Sequence, residues 1–425
     1  MPAIYLGMIY TRNRIALFAA LLGSFCANAL AQITPEQWRQ DIDTLAENLL
    51  ERHPNFFTTH TVEEFEDAVE TLDSKLDSLN DAQIVMEINR LIALGGDSHT
   101  NVEFSAFAKT MNRLPIQVIA LSDGVFISGA TEPYQELVGK QILRFGDTEA
   151  LAAFEQISVL FGYENNSRLI NAGSSYITLV PALAAVGLAD QWDADTIEIT
   201  IQDDQSERTV TLKCESPEIR QQWVSFAQSF KNGMPLMYRK SNGNYQTEFL
   251  SESKTMYLAY NKCKDAEDFP MKLLITFLTE KSEEFDAQRM VIDLRFNGGG
   301  SEMVLWPFIN ALKASERFSD PGDIIALTSR YTFSSAASNA HQLRDRAGAV
   351  LIGEPTGGKP NHFGEIKSFE LPNSKLSVSH STKWFQKVEG DPDAVHPSVL
   401  IKVGSADFFA GNDPVLDAAL SYQPD

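Results

Sequence analysis

Four short stretches of this 425-residue chain hold residues whose types and spacing suit acyl transfer. Asn297-Gly298-Gly299-Gly300 follows the apolar run Met290 to Leu294. Thr332-Phe333-Ser334-Ser335-Ala336-Ala337 follows a second run, Asp323 to Thr328. Glu354-Pro355-Thr356-Gly357-Gly358-Lys359 follows a third, Ala349 to Gly353. Far upstream, Asp97-Ser98-His99-Thr100 comes just after Gly95-Gly96. Acyl transfer needs a nucleophile, a base for its proton, a group to orient that base, and donors for the oxyanion. Ser334 stands where an irregular segment becomes a helix, and the first amides of a helix are unpaired. Gly298, Gly299 and Gly300 offer bare amides at a strand end. His99 is the natural base, and Ser98 is placed to orient it.

Taken singly, each of these residues has a duller reading. A serine before a helix is usually an N-cap. A glycine triplet is usually a flexible turn. His99 alone is a histidine in a glycine-loosened loop, placed for exposure rather than packing, and Lys359 alone is a surface lysine. The G-x-S-x-G elbow is absent, which disfavours an α/β-hydrolase. There is no H-E-x-x-H and no cluster of Cys or His, so nothing here implies a metal or an organic cofactor.

The elements that must position these residues read as a βαβ layout with chemistry at the strand ends. Strand Met290 to Arg295, the glycine turn and a helix over 301–315 come first. Strand 323–328, the Ser334 helix and strand 349–353 follow. Upstream lie three helices. Thr34 and Thr61 open capping boxes with Gln37 and Glu64, and Asn80 caps the third helix, which Gly95-Gly96 ends. From Leu114 to Cys214 the pattern turns to strands (116–121, 125–128, 141–145, 196–201, 209–212) with one helix near 148–161. Residues 216–240 read as a polar connector with helical character. Met256 to Tyr260 restarts the sheet, and a helix over 269–285 leads into the central stretch. Strands near 366–371, 376–379 and 399–403 and a closing helix over 414–422 complete the chain.

Arg12 and Arg14 precede an apolar run from Ile15 to Cys26, and Ala29-Leu30-Ala31 supplies small residues for cleavage. A signal peptide over 1–31 is therefore expected, with an uncleaved anchor as its rival. The whole chain carries a net charge of −22, and losing the leader's two arginines makes the remainder more acidic still. Such a chain repels nucleic acid and anionic membranes. Cys214 and Cys263 would remain, either as one disulfide or as two thiols.

In this order, the four motifs resemble the S41 peptidases: the C-terminal processing peptidases, the core of tricorn protease and the retinoid-binding relatives. The resemblance covers most of the chain. It implies an α/β multidomain fold with a helical N-terminal domain over 32–113, a PDZ-like β-rich insert over 114–215 and a ClpP/crotonase-like catalytic core over 216–425. It implies Ser334 as nucleophile, with Ser335 the fallback if the register slips. Gly298, Gly299 and the amide of Ser335 resemble the oxyanion hole. Two bases compete. Ser98-His99 match the tricorn-like branch, which also uses a later Glu that Glu389 resembles. Lys359 stands where the C-terminal processing branch has its lysine, but Phe363 replaces that branch's glutamine, so His99 is favoured. The glycine-hydrophobic loop by which a PDZ domain grips a terminal carboxylate is missing. The function implied is an exported serine endopeptidase acting through an acyl-enzyme, periplasmic or secreted, with peptide or polypeptide substrates and no nucleic acid or metal partner. A binding protein on the same scaffold and an esterase for small acyl compounds are the alternatives.

Overall fold

The computed structural model describes residues 33–216, 222–229, 234–239 and 243–424. The leader expected over 1–31 lies outside them, as does part of the connector.

Local sequence starts the first three helices, Pro35–Arg52, Val62–Asp73 and Asp81–Ala93. The capping boxes of Thr34 with Gln37, Thr61 with Glu64 and Asn80 with Gln83 all form. Each satisfies two amides that would otherwise lack a partner. Their apolar faces (Trp38, Leu45, Phe65, Ile84, Ile88) join one buried cluster with residues of an antiparallel sheet. That sheet runs in the order Ile116–Leu121, Gly124–Thr131, Gln141–Phe145, Thr196–Asp203, Ser206–Lys213. Helices Asn166–Tyr176 and Val180–Ala185, which the sequence reading left unassigned, fill the span between its third and fourth strands.

The central sheet has six strands in the order Val399–Leu400, Val350–Gly353, Ile324–Thr328, Arg289–Asp293, Thr255–Tyr260, Tyr245–Leu250. All neighbours are parallel except the last pair. Both faces are covered, which is why its strands read as unbroken apolar runs. Met256, Leu258, Met290, Ile292 and Ala326 point to one face, against helices Met271–Glu284, Trp306–Lys313 and Ser335–Ala347. Tyr257, Ala259, Val291, Ile325 and Ile352 point to the other, against helix Pro414–Ser421. This is the period-two alternation of strands. The architecture is mixed α/β with several sheets.

Some expectations are corrected. The helix placed over 301–315 spans only Trp306–Lys313, after a 3-10 turn at Glu302–Val304, because Pro307 favours a first-turn position. The described parts of the connector are a strand, Trp223–Ser225, and two 3-10 turns. The strand near 399–403 keeps only Val399–Leu400. Cys214 and Cys263 are free thiols buried in different clusters, so they form no disulfide.

One buried ion cluster fixes the strand end from which the glycine turn departs. Arg295, 2 % exposed, donates to both oxygens of Asp293 and, through Nη1 (2.6 Å) and Nη2 (2.9 Å), to Asp413 at the start of the closing helix. Tyr257 OH adds a 2.7 Å bond to Asp293. Burial alone would drive the guanidinium towards neutrality, but the two carboxylates outweigh it and hold its pKa well above the ordinary value. Removing the cation leaves two buried carboxylates facing each other. Arg295→Met should therefore lower stability by about 3–5 kcal/mol, read as a fall in the urea midpoint.

Candidate active site

Ser334 occupies a backbone conformation that L-residues avoid, φ +52° and ψ −129°. Its neighbours impose it. Thr332 Oγ1 donates to Leu294 O (3.0 Å) and accepts from Ser329 N. Phe333 N donates to Asn297 O at 3.0 Å, while Ala337 N and Ser338 N already bond Ser334 O as the first turn of helix Ser335–Ala347. The chain must reverse within one residue between an anchored strand end and a formed helix. Such a residue stores roughly 1–3 kcal/mol, which the surrounding bonds must hold. The turn tolerates only glycine beside it. A Cβ on Gly299 would lie 2.7 Å from Ser334 Cβ, and one on Gly358 would lie 2.8 Å from Ser334 N.

The glycine turn is tied down from below. Asn297 Nδ2 donates to Tyr260 O (2.8 Å) and its Oδ1 accepts from Gly299 N (2.9 Å). The Gly299 amide expected to serve an oxyanion is thus already bonded. Gly298 N and Ser335 N are the expected donors that bond no acceptor among the described residues. Ser335 Oγ donates to Gly300 O at 2.7 Å, so this hydroxyl ties the turn to the helix. Cys263 N and O bond Gly299 O and Ser301 N, and its buried thiol, pushed up to about 12 by burial, lies 3.5 Å from Asn297 Oδ1.

His99 is buried, 3 % exposed, where its loop had suggested exposure. Its ring is stacked between Phe333 (centroids 4.5 Å apart) and His362 (5.4 Å). The Arg168 guanidinium covers the far face of this column, 4.4 Å from the Phe333 centroid. Among the described residues neither ring nitrogen of His99 has a hydrogen-bond partner. Nδ1 stands 3.6 Å from Asp97 Oδ1, beyond bonding range. Stacking holds the ring plane and leaves the nitrogens open. His362 Nδ1 donates to Pro360 O at 3.2 Å, and burial first and His99 second push its pKa down to about 4. It is a neutral neighbour at pH 7.

Asp97 holds the loop. Its Oδ2 accepts from His53 Nε2 (3.1 Å), Thr100 Oγ1 (2.6 Å) and Ser381 Oγ (2.7 Å), and its Oδ1 accepts from His99 N (2.9 Å). Burial opposes its charge, but the bonds from His53 and its other partners prevail and hold the carboxyl well below the aspartate range. Ser98 does not reach the His99 ring. Its hydroxyl donates to Glu164 Oε2 at 2.7 Å. Burial, with the Asp97 charge second, raises the Glu164 pKa. Side-chain atoms of Asp97, His99 and Glu164 gather within 4.8 Å of one another. With Asp97 Oδ2 already accepting three bonds and Glu164 Oε2 accepting from Ser98, these oxygens are committed to protein donors rather than to an open ligand set.

The remaining expected residues lie elsewhere. Glu389 is exposed, and the carboxylates gathered beside His99 are those of Asp97 and Glu164. Lys359 is ion-paired to Asp391 (2.7 Å) and lines a hollow with Asn361, Phe363 and Glu164. His362 and Gly364, alternate residues of the same strand, line the cleft of Ser334 instead. The strand His362–Gly364 therefore separates Lys359 from Ser334. Ser334, His99, Gly298 and Ser335 share one cleft of about 540 Å³. Sequence reasoning missed Asp97, Glu164 and His362 as site residues. Asp97 stood inside the motif, two positions before His99. Glu164 had no sequence signal, because it arrives from the span before helix Asn166–Tyr176.

Neither family models nor curated proteins return a match to this sequence. Solved structures do. Mature CPAF superposes with a TM-score of 0.60 at 15 % identity, over 91 % of this chain and 96 % of that one. Mature CPAF complexed with lactacystin gives 0.59 at 13 % identity, over 91 % and 98 %. The photosystem II D1 C-terminal processing protease is a looser likeness, 0.39 at 13 % identity, over 86 % and 92 %. The fold is similar to that of mature CPAF.

Two outcomes follow from this geometry. Because folding lowers the Asp97 pKa, the ionised group stabilises the fold above the unfolded value of about 3.9. That contribution disappears as pH falls towards the depressed folded value. Asp97→Asn should cost about 2–3 kcal/mol at pH 7, a deficit in thermal melts that is constant above pH 5 and shrinks below pH 4. Glu164→Ala should lower the turnover of any reaction at this site on the order of tenfold to a hundredfold, the cost of a misplaced base. Glu389→Ala, measured in the same steady-state assay, should be silent.

Proposed function

We propose that this chain is an exported serine peptidase that hydrolyses peptide bonds through an acyl-enzyme on Ser334. One observation carries the reading: a serine in a strained turn shares a cleft with a buried, unpaired imidazole and with unbonded amides at a glycine turn and a helix start. In this mechanism Ser334 Oγ attacks the scissile carbonyl carbon and His99 takes its proton. The carbonyl oxygen becomes an oxyanion facing Gly298 N–H and Ser335 N–H. His99 then returns the proton to the leaving nitrogen, the C–N bond breaks, and a serine ester remains. Water, deprotonated by His99, cleaves that ester. Asp97 and the Ser98–Glu164 pair position the base. No step uses Lys359, which is engaged with Asp391.

The layout belongs to the same proposal: a PDZ-like insert over 114–215 and a ClpP/crotonase-like core over 216–425. The antiparallel sheet of the first and the parallel sheet and helices of the second support it. Export rests on Arg12, Arg14 and the apolar run from Ile15 to Cys26.

The test is mass spectrometry of peptides released from an unfolded protein mixture. Wild type should create new termini that folded Ser334→Ala does not. His99→Ala should reduce the rate by at least three orders of magnitude, and Lys359→Ala by less than tenfold. Equal products from wild type and Ser334→Ala would sink the reading. A dead Lys359→Ala beside an active His99→Ala would replace the base.

A further inference from the structure

The cleft that holds Ser334 has walls unlike the rest of the surface. Among the described residues only four large apolar side chains are more than half exposed: Leu151, Met303, Ile366 and Leu400. Two of them, Met303 (54 %) and Ile366 (51 %), face this one cleft, and Phe385 joins them. They come from three separate segments: the 3-10 turn after the glycines, the link after His362–Gly364, and the end of strand Lys383–Phe385. A chain of net charge −22 has ample polar residues for its surface, so large apolar groups converging beside a nucleophile point to a bound partner that covers them.

The charges in the cleft are compensated internally. Glu302 and Lys387 pair across it at 2.6 Å, and Glu302 also accepts from Gln342 of the nucleophile helix. Lys387 and Lys383 both lie over the Phe385 ring. Glu365 faces Lys383 at 3.8 Å. Among the described residues each charged group lining the cleft, Glu302, Glu365 and Lys387, faces an opposite charge. Methionine is unbranched and adapts to apolar groups of different shape.

The backbone of the cleft suits an extended segment. Among the described residues strand His362–Gly364 pairs with Lys383–Phe385 alone, so its other edge has no strand partner. His362 and Gly364 face the cleft. An added strand would find main-chain donors and acceptors there and side-chain subsites alternating along it.

We propose that Met303, Ile366 and Phe385 form a specificity subsite for an uncharged apolar side chain, such as Leu, Met or Phe, flanking the scissile bond of an extended polypeptide. This rests on the peptidase reading and adds the substrate class to it. Met303 and Ile366 supply the flexible and the branched walls, and Phe385 the flat one. The Glu302–Lys387 pair stays bonded and rejects a charged side chain, which would have to break it or be buried alone.

The experiment uses internally quenched peptides that differ only at one flanking position: Leu, Met, Phe, Ala, Asp or Lys. The chain without its leader should cleave the Leu, Met and Phe peptides with a kcat/KM at least tenfold above those for Asp and Lys, the scale expected of an apolar pocket. The double variant Met303→Lys, Ile366→Lys should narrow that ratio to below threefold and favour Asp over Lys. Binding is read separately, by fluorescence anisotropy of the labelled Leu and Lys peptides on Ser334→Ala. A tenfold preference for Leu is expected there too. Cleavage without apolar preference would overturn the subsite and leave the peptidase. A Leu preference in binding with no cleavage by wild type would overturn the peptidase and leave an apolar peptide groove. Equal binding of both peptides would overturn the subsite whatever the cleavage.

Discussion

The buried carboxylate of Asp97 is the constraint on which the site depends. It is placed where no solvent can serve it, so each lone pair must find a protein donor. The donors come from three distant parts of the chain: His53 just past the first helix, His99 and Thr100 in its own loop, and Ser381 after the strand Ser377–His380. A hydrogen-bonded buried charge of this kind accepts few alternative geometries. The His99 loop is fixed by its backbone amide rather than by its ring. The ring is then left to stacking, which sets a plane and leaves both nitrogens unengaged.

Ser334 is held by a different device. Its conformation is unfavourable alone and persists because both sides of it are already committed, to the Thr332 bonds before it and the helix after it. The close approach of Gly299 and Gly358 turns a strained residue into a packed one. Nothing in this arrangement asks the serine for a capping bond. Its side chain caps no amide of its own helix, which leaves the hydroxyl for other work.

Much of the fold could be read in the sequence because local physics decides it. Capping boxes at Thr34, Thr61 and Asn80 mark helix starts through bonds of only three residues' reach. The apolar runs at Met256 and Met290 read as buried strands because both their faces meet cores. The glycine turn was legible for a related reason, since a Cβ on Gly299 or Gly300 would meet its neighbours. The surroundings of His99 were not. Its exposure was misjudged because Phe333 and His362, which cover it, are more than two hundred residues away. A carboxylate to help hold His99 was sought at Glu389, which is exposed, whereas Glu164 arrives from the irregular residues before helix Asn166–Tyr176. Ser98 itself fitted a relay in one dimension, yet its hydroxyl turns to Glu164. Long-range placement of single polar groups is what a linear reading lacks.

The bond from Ser381 to Asp97 spans most of the described chain. Asn373 makes a similar link to Asp41 in the first helix. Synthesis proceeds from the N-terminus, and domains close as their residues emerge. Here the helices and the His99 loop are made first, the serine turn much later, and the strand that completes the Asp97 shell later still. A partly made chain therefore holds its imidazole and its hydroxyl in separate, unfinished halves. The cleft that brings the two together is therefore completed only after Ser381, late in the described chain, has joined the fold.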